Sequence, residues 1–441
     1  RRLGWGGAAL AVPADLLAAA FSDRRPNIVM VLADDLGWGD LGCYGQKLIR
    51  TPNLDRLAAD GIRFTQAYCG TAACAPSRCS LLTGLHTGHA PIRGNITLNG
   101  EGQVPLPEGT YTVARLLREA GYATACIGKW GLGSFHDSGN PNRCGFDHFF
   151  GYTCQVRAQD HYPEHLWRNG EKIPLSGRSY SHDLFTREAK EWIRANAERS
   201  FFLYLAYTLP HRRYEVPDLG RYASEPWSET EKAYAAMVGR LDRDVGRLVA
   251  LLKRLGIDEN TIVFFSSDNG PRPGLERFDS GGGLRGRKGR IYEAGIRVPM
   301  IVRWPGRVPS GKVSGEPWAF WDFLPTSAAL ARAPVPRGVR TDGLSEAALL
   351  AGRPAPHREY FYWELHRGRI AQAIRFGELK AVRHGIDGPI ELYDLAADPV
   401  EKADIAPSRP EIVRKAREIF SGAREESELW PADGSGLDEE S

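Results

Sequence analysis

The stretch Asn27–Gly37 reads NIVMVLADDLG: an unbroken apolar run, Ile28–Leu32, that ends in Asp34-Asp35. Such a run, with no polar residue alternating through it, predicts a strand buried on both faces. The same arrangement recurs along the chain. Ala123–Ile127 runs into Gly128-Lys129, Phe201–Tyr207 into Pro210-His211, and Ile262–Ser266 into Asp268-Asn269-Gly270; Met300–Trp304 is one more apolar run. Helical patterns lie between the runs, at 53–60 closed by Gly61, 113–120 closed by Gly121, 183–196, and 229–255 closed by Gly256. Strands of this kind interleaved with amphipathic helices predict an α/β fold with a mainly parallel central sheet covered on both faces. Ligands bind such sheets beyond the carboxyl ends of the strands. Four strands that each deliver polar groups there define the candidate site.

After about Val335 the texture changes. Short runs at 360–365, 370–375, 379–383 and 390–393 have hairpin spacing, and a terminal helix at 410–421 follows. The expected organisation is a catalytic domain at 25–335, a smaller α+β subdomain with an antiparallel sheet at 336–428, and an acidic tail at 429–441, frayed from Trp430 onward. Residues 1–24 contain Arg1-Arg2 and the small apolar stretch Ala8–Ala20, the pattern of an export-signal remnant or of a low-complexity tail.

The chain has 441 residues, enough for two or three domains. Lys and Arg number 57 against 54 Asp and Glu, a net charge of +3, which excludes a dedicated nucleic-acid binder. No apolar run is long enough to cross a membrane, so no transmembrane anchor is expected. The glycine-rich basic stretch Gly281–Arg290 lacks the G-K-[ST] of a phosphate-binding loop. Seven cysteines, all between Cys43 and Cys154, have no zinc-knuckle spacing and read as buried thiols or one or two disulfides.

Asp34, Asp35, Asp268 and Asn269 are hard oxygen donors. Three carboxylates brought together repel one another unless a cation lies between them, and an all-oxygen set suits Ca²⁺ or Mg²⁺ rather than zinc. Pro76 fits the first turn of a helix and Gly84 its end. Cys74 then stands at a helix N-terminus, a candidate reactive thiol at an anion site; the plainer reading is a buried structural cysteine.

Cys74-x-Pro76-Ser77-Arg78 followed by Leu81-Leu82-Thr83-Gly84 resembles the signature of the type I, formylglycine-dependent sulfatases of the alkaline-phosphatase-like superfamily. The stretches from Pro26 to Gly37, Thr51 to Leu57, Gly128 to Trp130, Ser267 to Gly270, Leu284 to Gly289 and Glu391 to Leu395 resemble further blocks of that family. The resemblance implies an alkaline-phosphatase-like α/β/α sandwich. It also implies oxidation of Cys74 to formylglycine by a formylglycine-generating enzyme. Ca²⁺ (or Mg²⁺) would be held by Asp34, Asp35, residue 74, Asp268 and Asn269. The aldehyde hydrate would attack a sulfate ester with one hydroxyl, and the other would expel the sulfate. Arg78 would support that hydrate, Lys129 and Lys288 would hold sulfate oxygens, and His211 would bind sulfate or protonate the leaving oxygen. The implied substrate is a sulfated small molecule or glycan and the implied location periplasmic or secreted.

The chain departs from the family at Gly131, where many members carry a histidine after Gly-Lys-Trp. His165 and His161, and after them His136, are the candidates to replace it; Arg212 is a candidate contact to an acidic substrate. Two other readings stand beside the sulfatase: a phosphonate or phosphate monoester hydrolase of the same superfamily, disfavoured by Asn269 where such enzymes tend to carry histidine, and an inactive relative that binds sulfated glycans.

Overall fold

The computed structural model describes residues 24–98 and 101–433. The N-terminal stretch read as an export signal, Arg24 excepted, and the end of the acidic tail lie outside the described residues. Strands follow in chain order: β1 (Asn27–Ala33), β2 (Ile62–Tyr68), β3 (Thr97–Leu98), β4 (Gly102–Gln103), β5 (Ala123–Lys129), β6 (His148–Tyr152), β7 (His165–Arg168), β8 (Glu171–Pro174), β9 (Phe201–Ala206), β10 (Thr261–Ser267), β11 (Arg297–Arg303), β12 (Lys312–Ser314), β13 (Trp318–Ala319), β14 (Phe361–Arg367), β15 (Arg369–Phe376), β16 (Leu379–His384) and β17 (Ile390–Asp394).

The run that opens the sequence lies inside an eleven-stranded sheet of order β12-β2-β11-β10-β1-β9-β5-β6-β7-β8, with β13 paired to β2. Every residue of β1 is buried. Its side chains alternate between two cores: Ile28, Met30 and Leu32 pack on one face, and Val29, Val31 and Ala33 on the other. Burial on both sides is why the run carries no polar alternation. The four inner strands β10, β1, β9 and β5 are parallel, and so is the β5–β6 pair. The flanks turn antiparallel: β11, which contains the run expected at 300–304, pairs antiparallel with β10 and β2, and β7 and β8 form a hairpin beside β6.

Register places the site. Ala33 pairs with Ser267, Leu32 with Ala206, and Ala206 with Gly128. The chains leaving β1, β10, β9 and β5 therefore emerge on neighbouring rungs, and Asp34, Asp268, Tyr207 and Lys129 come out side by side. Helices cover both faces. The longest, Glu229–Arg254, begins at Ser228, which forms a capping box with Glu231, and it buries Leu241, Val245, Leu248 and Leu252 on one stripe.

The C-terminal strands β14–β17 form an antiparallel sheet of four. One face continues the main core, with Trp363 donating to the Cys69 carbonyl at 3.0 Å. The other face is covered by the helix Pro410–Gly422 through Ala416 and Phe420. Trp430 departs from the frayed tail expected there: it is buried, and its Nε1 donates to the Pro91 carbonyl at 2.8 Å. All seven cysteines are free thiols, so the disulfide option falls away. Among the described residues no helix is long and apolar enough to cross a membrane.

Candidate active site

The helix Cys74–Thr83 is buried at every residue. Its N-cap, Ala73, has no side chain to offer, and the Asn95 amide oxygen instead accepts the Ala75 N–H at 2.8 Å. Cys74 thus opens the helix beside the ends of β1 and β10. Its Sγ lies 3.5 Å from Asp34 Oδ1, 3.9 Å from Asp35 Oδ1 and 2.9 Å from Lys288 Nζ. One helical turn on, Arg78 turns to Asp268 and Asp34. Its Nη2 and Nε meet Asp268 Oδ2 at 2.8 and 3.0 Å, its Nη1 donates to the Lys129 carbonyl at 3.0 Å, and its Nη2 stands 3.7 Å from Asp34 Oδ2. Lys129 Nζ reaches Asp34 Oδ2 at 2.7 Å, and Lys288 Nζ reaches Asp35 Oδ1 at 2.5 Å. His211 Nε2 faces Asp35 Oδ2 at 3.3 Å.

These groups hold one another's charge states. Burial would raise the Asp35 carboxyl, but Lys288, His211 and Lys129 outweigh it and hold the group well below the usual carboxylate range. Burial, with the neighbouring Asp34, pushes Asp268 up against the pull of Arg78. Burial drives His211 well below the ordinary imidazole value despite Asp35, so the ring is neutral at neutral pH. Burial also pushes the Cys74 thiol up to about 12, with Asp268 adding and the two lysines opposing. Those surroundings favour the protonated form of the unmodified thiol, a poor nucleophile.

The buried acidic cluster could hold a metal ion. Asp34, Asp35, Cys74 and His211 offer ligand atoms within 4.8 Å of one another. Two buried acceptors in the cluster, Asp35 Oδ2 and Asn269 Oδ1, have no hydrogen-bond partner, which is the situation a bound cation relieves. Asn269 Nδ2 donates to Asp35 Oδ1 at 2.8 Å, and the Asp35 N–H donates to Asp268 Oδ1 at 3.1 Å, so the three residues form one connected group. Asp35 itself has φ 65°, a conformation non-glycine residues rarely adopt, at the point where its carboxylate turns into the cluster.

Of the residues singled out in the sequence, Asp34, Asp35, Cys74, Arg78, Lys129, His211, Asp268, Asn269 and Lys288 converge. His161 lies directly behind them, buried, with Nε2 3.1 Å from the His211 carbonyl. His165 stands elsewhere, paired with Glu101 at 2.9 Å. His136 is exposed and packs edge-on against Trp167. Arg212 is exposed, and its Nε donates to Gln159 Oε1 at 3.2 Å. At Gly131 itself the space is taken by Gln155: a Cβ there would lie 1.8 Å from its Nε2. The sequence reading missed Gln155 and also Arg272, whose Nη1 stands 3.8 Å from Asp35 Oδ2. Arg272 could have been found from its place two residues past Gly270; nothing local marks Gln155.

This fold and site define a hydrolase of the alkaline-phosphatase-like superfamily. The Sulfatase family matches residues 26–333, and the family described as N-sulphoglucosamine sulphohydrolase, C-terminal, matches residues 287–421. N-acetylgalactosamine-6-sulfatase of Canis lupus familiaris is 36% identical over 400 residues, covering 83% of this chain and 73% of its own. Arylsulfatase A of Homo sapiens is 33% identical over 476 residues, 93% and 89% of the two chains. Among solved structures, Ps i-CgsB in complex with k-i-k-neocarrahexaose superposes with a TM-score of 0.82 at 31% identity, covering 95% of this chain and 96% of its own. The phosphonate monoester hydrolase of Agrobacterium radiobacter, at 21% identity and a TM-score of 0.66, shares the fold. The chain belongs to the sulfatase family and is a sulfuric ester hydrolase.

Proposed function

We propose that the protein removes sulfate from a sulfated carbohydrate, using a formylglycine made from Cys74 by a formylglycine-generating enzyme and a Ca²⁺ ion held by Asp34, Asp35, residue 74, Asp268 and Asn269. The observation that carries this reading is the placement of Cys74. It opens a buried helix, with Lys288 on its sulfur and the Asp34 and Asp35 carboxylates beside it. A hydrated aldehyde there supplies a nucleophile that the protonated thiol does not, together with its own route for release of sulfate; the cation supplies positive charge for sulfate oxygens.

The chain's own residues do the rest. Lys129 and Lys288 stand on opposite carboxylates, Asp34 and Asp35, with Nζ groups that can turn to a sulfate oxygen. His211 is neutral, and its Nδ1 lies 2.5 Å from the Arg212 carbonyl. With the proton on Nδ1 donated to that carbonyl, Nε2 of the neutral ring is an acceptor: it can take up a proton at the site, and it protonates the ester oxygen only after doing so. Arg78 acts by positioning: it ties Asp268 to the Lys129 backbone from below the site.

The carbohydrate reading is supported by relatives named for N-acetylgalactosamine 6-sulfate and by the oligosaccharide complex of Ps i-CgsB. Periplasmic or secreted location is part of the proposal and rests on the basic start and small apolar stretch of residues 1–20. Matched aryl esters of sulfate, phosphate and phosphonate test the reading. Sulfate is expected to be turned over fastest, and a clear preference for phosphonate overturns it. Mass analysis of the Cys74 peptide from active protein is expected to show the loss of the thiol and the gain of one oxygen; an unmodified thiol in active protein contradicts the mechanism.

A further inference from the structure

Lys129, Lys288 and Arg78 match Asp34, Asp35 and Asp268 one for one. Three further arginines stand on the rim on the Asp35 side. Arg272 Nη1 stands 3.8 Å from Asp35 Oδ2, a second cation on a carboxylate that Lys288 already meets. Arg212 directly follows His211. Its Nε donates to a neutral amide, Gln159 Oε1, and among the described residues no carboxylate lies within ion-pair distance of its guanidinium. Arg367 comes from the far end of the chain, at the exposed tip of the β14–β15 hairpin. Its Nη1 lies so close over Gly289, the neighbour of Lys288, that a Cβ there would meet it at 1.9 Å; Gly289 also holds φ 78°. Asp35 meets Arg272, Lys288 and His211, Arg367 lies over the neighbour of Lys288, and Arg212 follows His211, so all three arginines border the same group of residues.

A sulfate monoester brings a single negative charge, which the proposed cation meets together with the Lys129 and Lys288 Nζ groups. We infer that Arg212, Arg272 and Arg367 form a subsite for a second oxyanion of the substrate, a carboxylate or another sulfate on the same or the adjoining sugar. Guanidinium is suited to the task, because its planar fork binds either group through two parallel hydrogen bonds. Two of the three side chains reach the rim from separate loops of the sulfatase core, after β9 and after β10. The third reaches it from the C-terminal sheet, so the subsite exists only when that sheet is docked. The inference rests on the sulfatase reading and deepens it: the substrate is an oligosaccharide or sugar acid with at least two anionic groups close together.

Competition against 4-nitrophenyl sulfate turnover by the matured, full-length protein tests it. The competitors are N-acetylgalactosamine 6-sulfate with one anion, its 4,6-disulfate with two sulfates, and the chondroitin 6-sulfate disaccharide with a sulfate and a carboxylate. The wild type is expected to hold at least one two-anion sugar roughly tenfold or more tighter than the one-anion sugar, as the loss of one charge-assisted contact would predict. Which of the two it prefers tells carboxylate from sulfate. Arg212→Ala and Arg367→Ala lie in different elements, and each is expected to collapse that ratio toward one. Equal inhibition by all three sugars, or a ratio kept in both variants, overturns the subsite while leaving the sulfatase reading intact. Failure of the matured enzyme to turn over 4-nitrophenyl sulfate overturns the reading itself, and the subsite with it.

Discussion

Gly131 and Gln155 share one volume: a Cβ on the glycine would come within 1.8 Å of the glutamine Nε2. The Gln155 amide donates to the Gly131 carbonyl at 3.3 Å, and its Oε1 is buried without a partner. Where the family resemblance implies a histidine side chain, this protein places a glutamine from the segment that follows β6.

Restoring the histidine is therefore expected to harm the protein. Gly131 has φ 75°, so Gly131→His adds backbone strain of about 1–2 kcal/mol to overpacking of about 1–3 kcal/mol. Thermal unfolding should show a clear drop in Tm for Gly131→His, partly relieved in the double variant with Gln155→Gly. An unchanged Tm for the single variant would show that Gln155 moves aside freely.

Removing Arg78 leaves Asp268 buried beside Asp34 with its main countercharge gone. Breaking such a pair costs about 3–5 kcal/mol. Arg78→Ala should lower the urea midpoint by that order and abolish turnover. Arg78→Lys keeps the charge but loses the fork that spans Asp268 and the Lys129 carbonyl, and is expected to fall between the two.

Chelation is expected to lower both activity and Tm, and Ca²⁺ to restore them. At a free concentration one hundred times its Kd, a ligand bound only by the folded state stabilises by about 2.7 kcal/mol. The decisive control is Asp35→Asn, for which the Ca²⁺-dependent rise in Tm should shrink; a rise of the same size would place the ion elsewhere.

A pH effect arises away from the site. Burial lowers the His86 pKa from 6.5 to about 3; Asp342 opposes this, while His89, Arg340 and Arg358 add to it. The unfolded chain takes up this proton near pH 6.5 and the folded protein refuses it until about 3. Stability is thus fully present above pH 6.5 and falls as pH drops toward 3, by at most about 1.4 kcal/mol per pH unit from this group. Urea midpoints measured from pH 7 to pH 4 should fall less steeply for His86→Gln than for the wild type.

The central strands were legible because each is apolar on both faces, and the site because four of them end in polar residues. The flanks were not. β2 reads IRFTQAY, half-buried and mixed in pattern, and β6 is a five-residue strand interrupted by Gly151. The β7–β8 hairpin did carry a usable mark, Asn169-Gly170, with both residues at positive φ as a two-residue hairpin turn requires. Arg367 could not be read at all. Its place over Gly289 depends on how a distant sheet docks, and no local pattern encodes that. The bond of Trp363 to Cys69 is of the same kind: a residue near the end of the chain completes the core begun near its start.

Cys74 is only 1% exposed, at the head of a helix with every residue inside the protein. A separate catalyst has no path to that sulfur once the chain has closed around it. On the proposed mechanism the maturation chemistry is then a matter of timing: it would belong to the nascent polypeptide, before collapse. A molecule that folded first with its thiol intact would, by the same proposal, be trapped as a stable but silent twin of the enzyme, beyond rescue unless it is unfolded again.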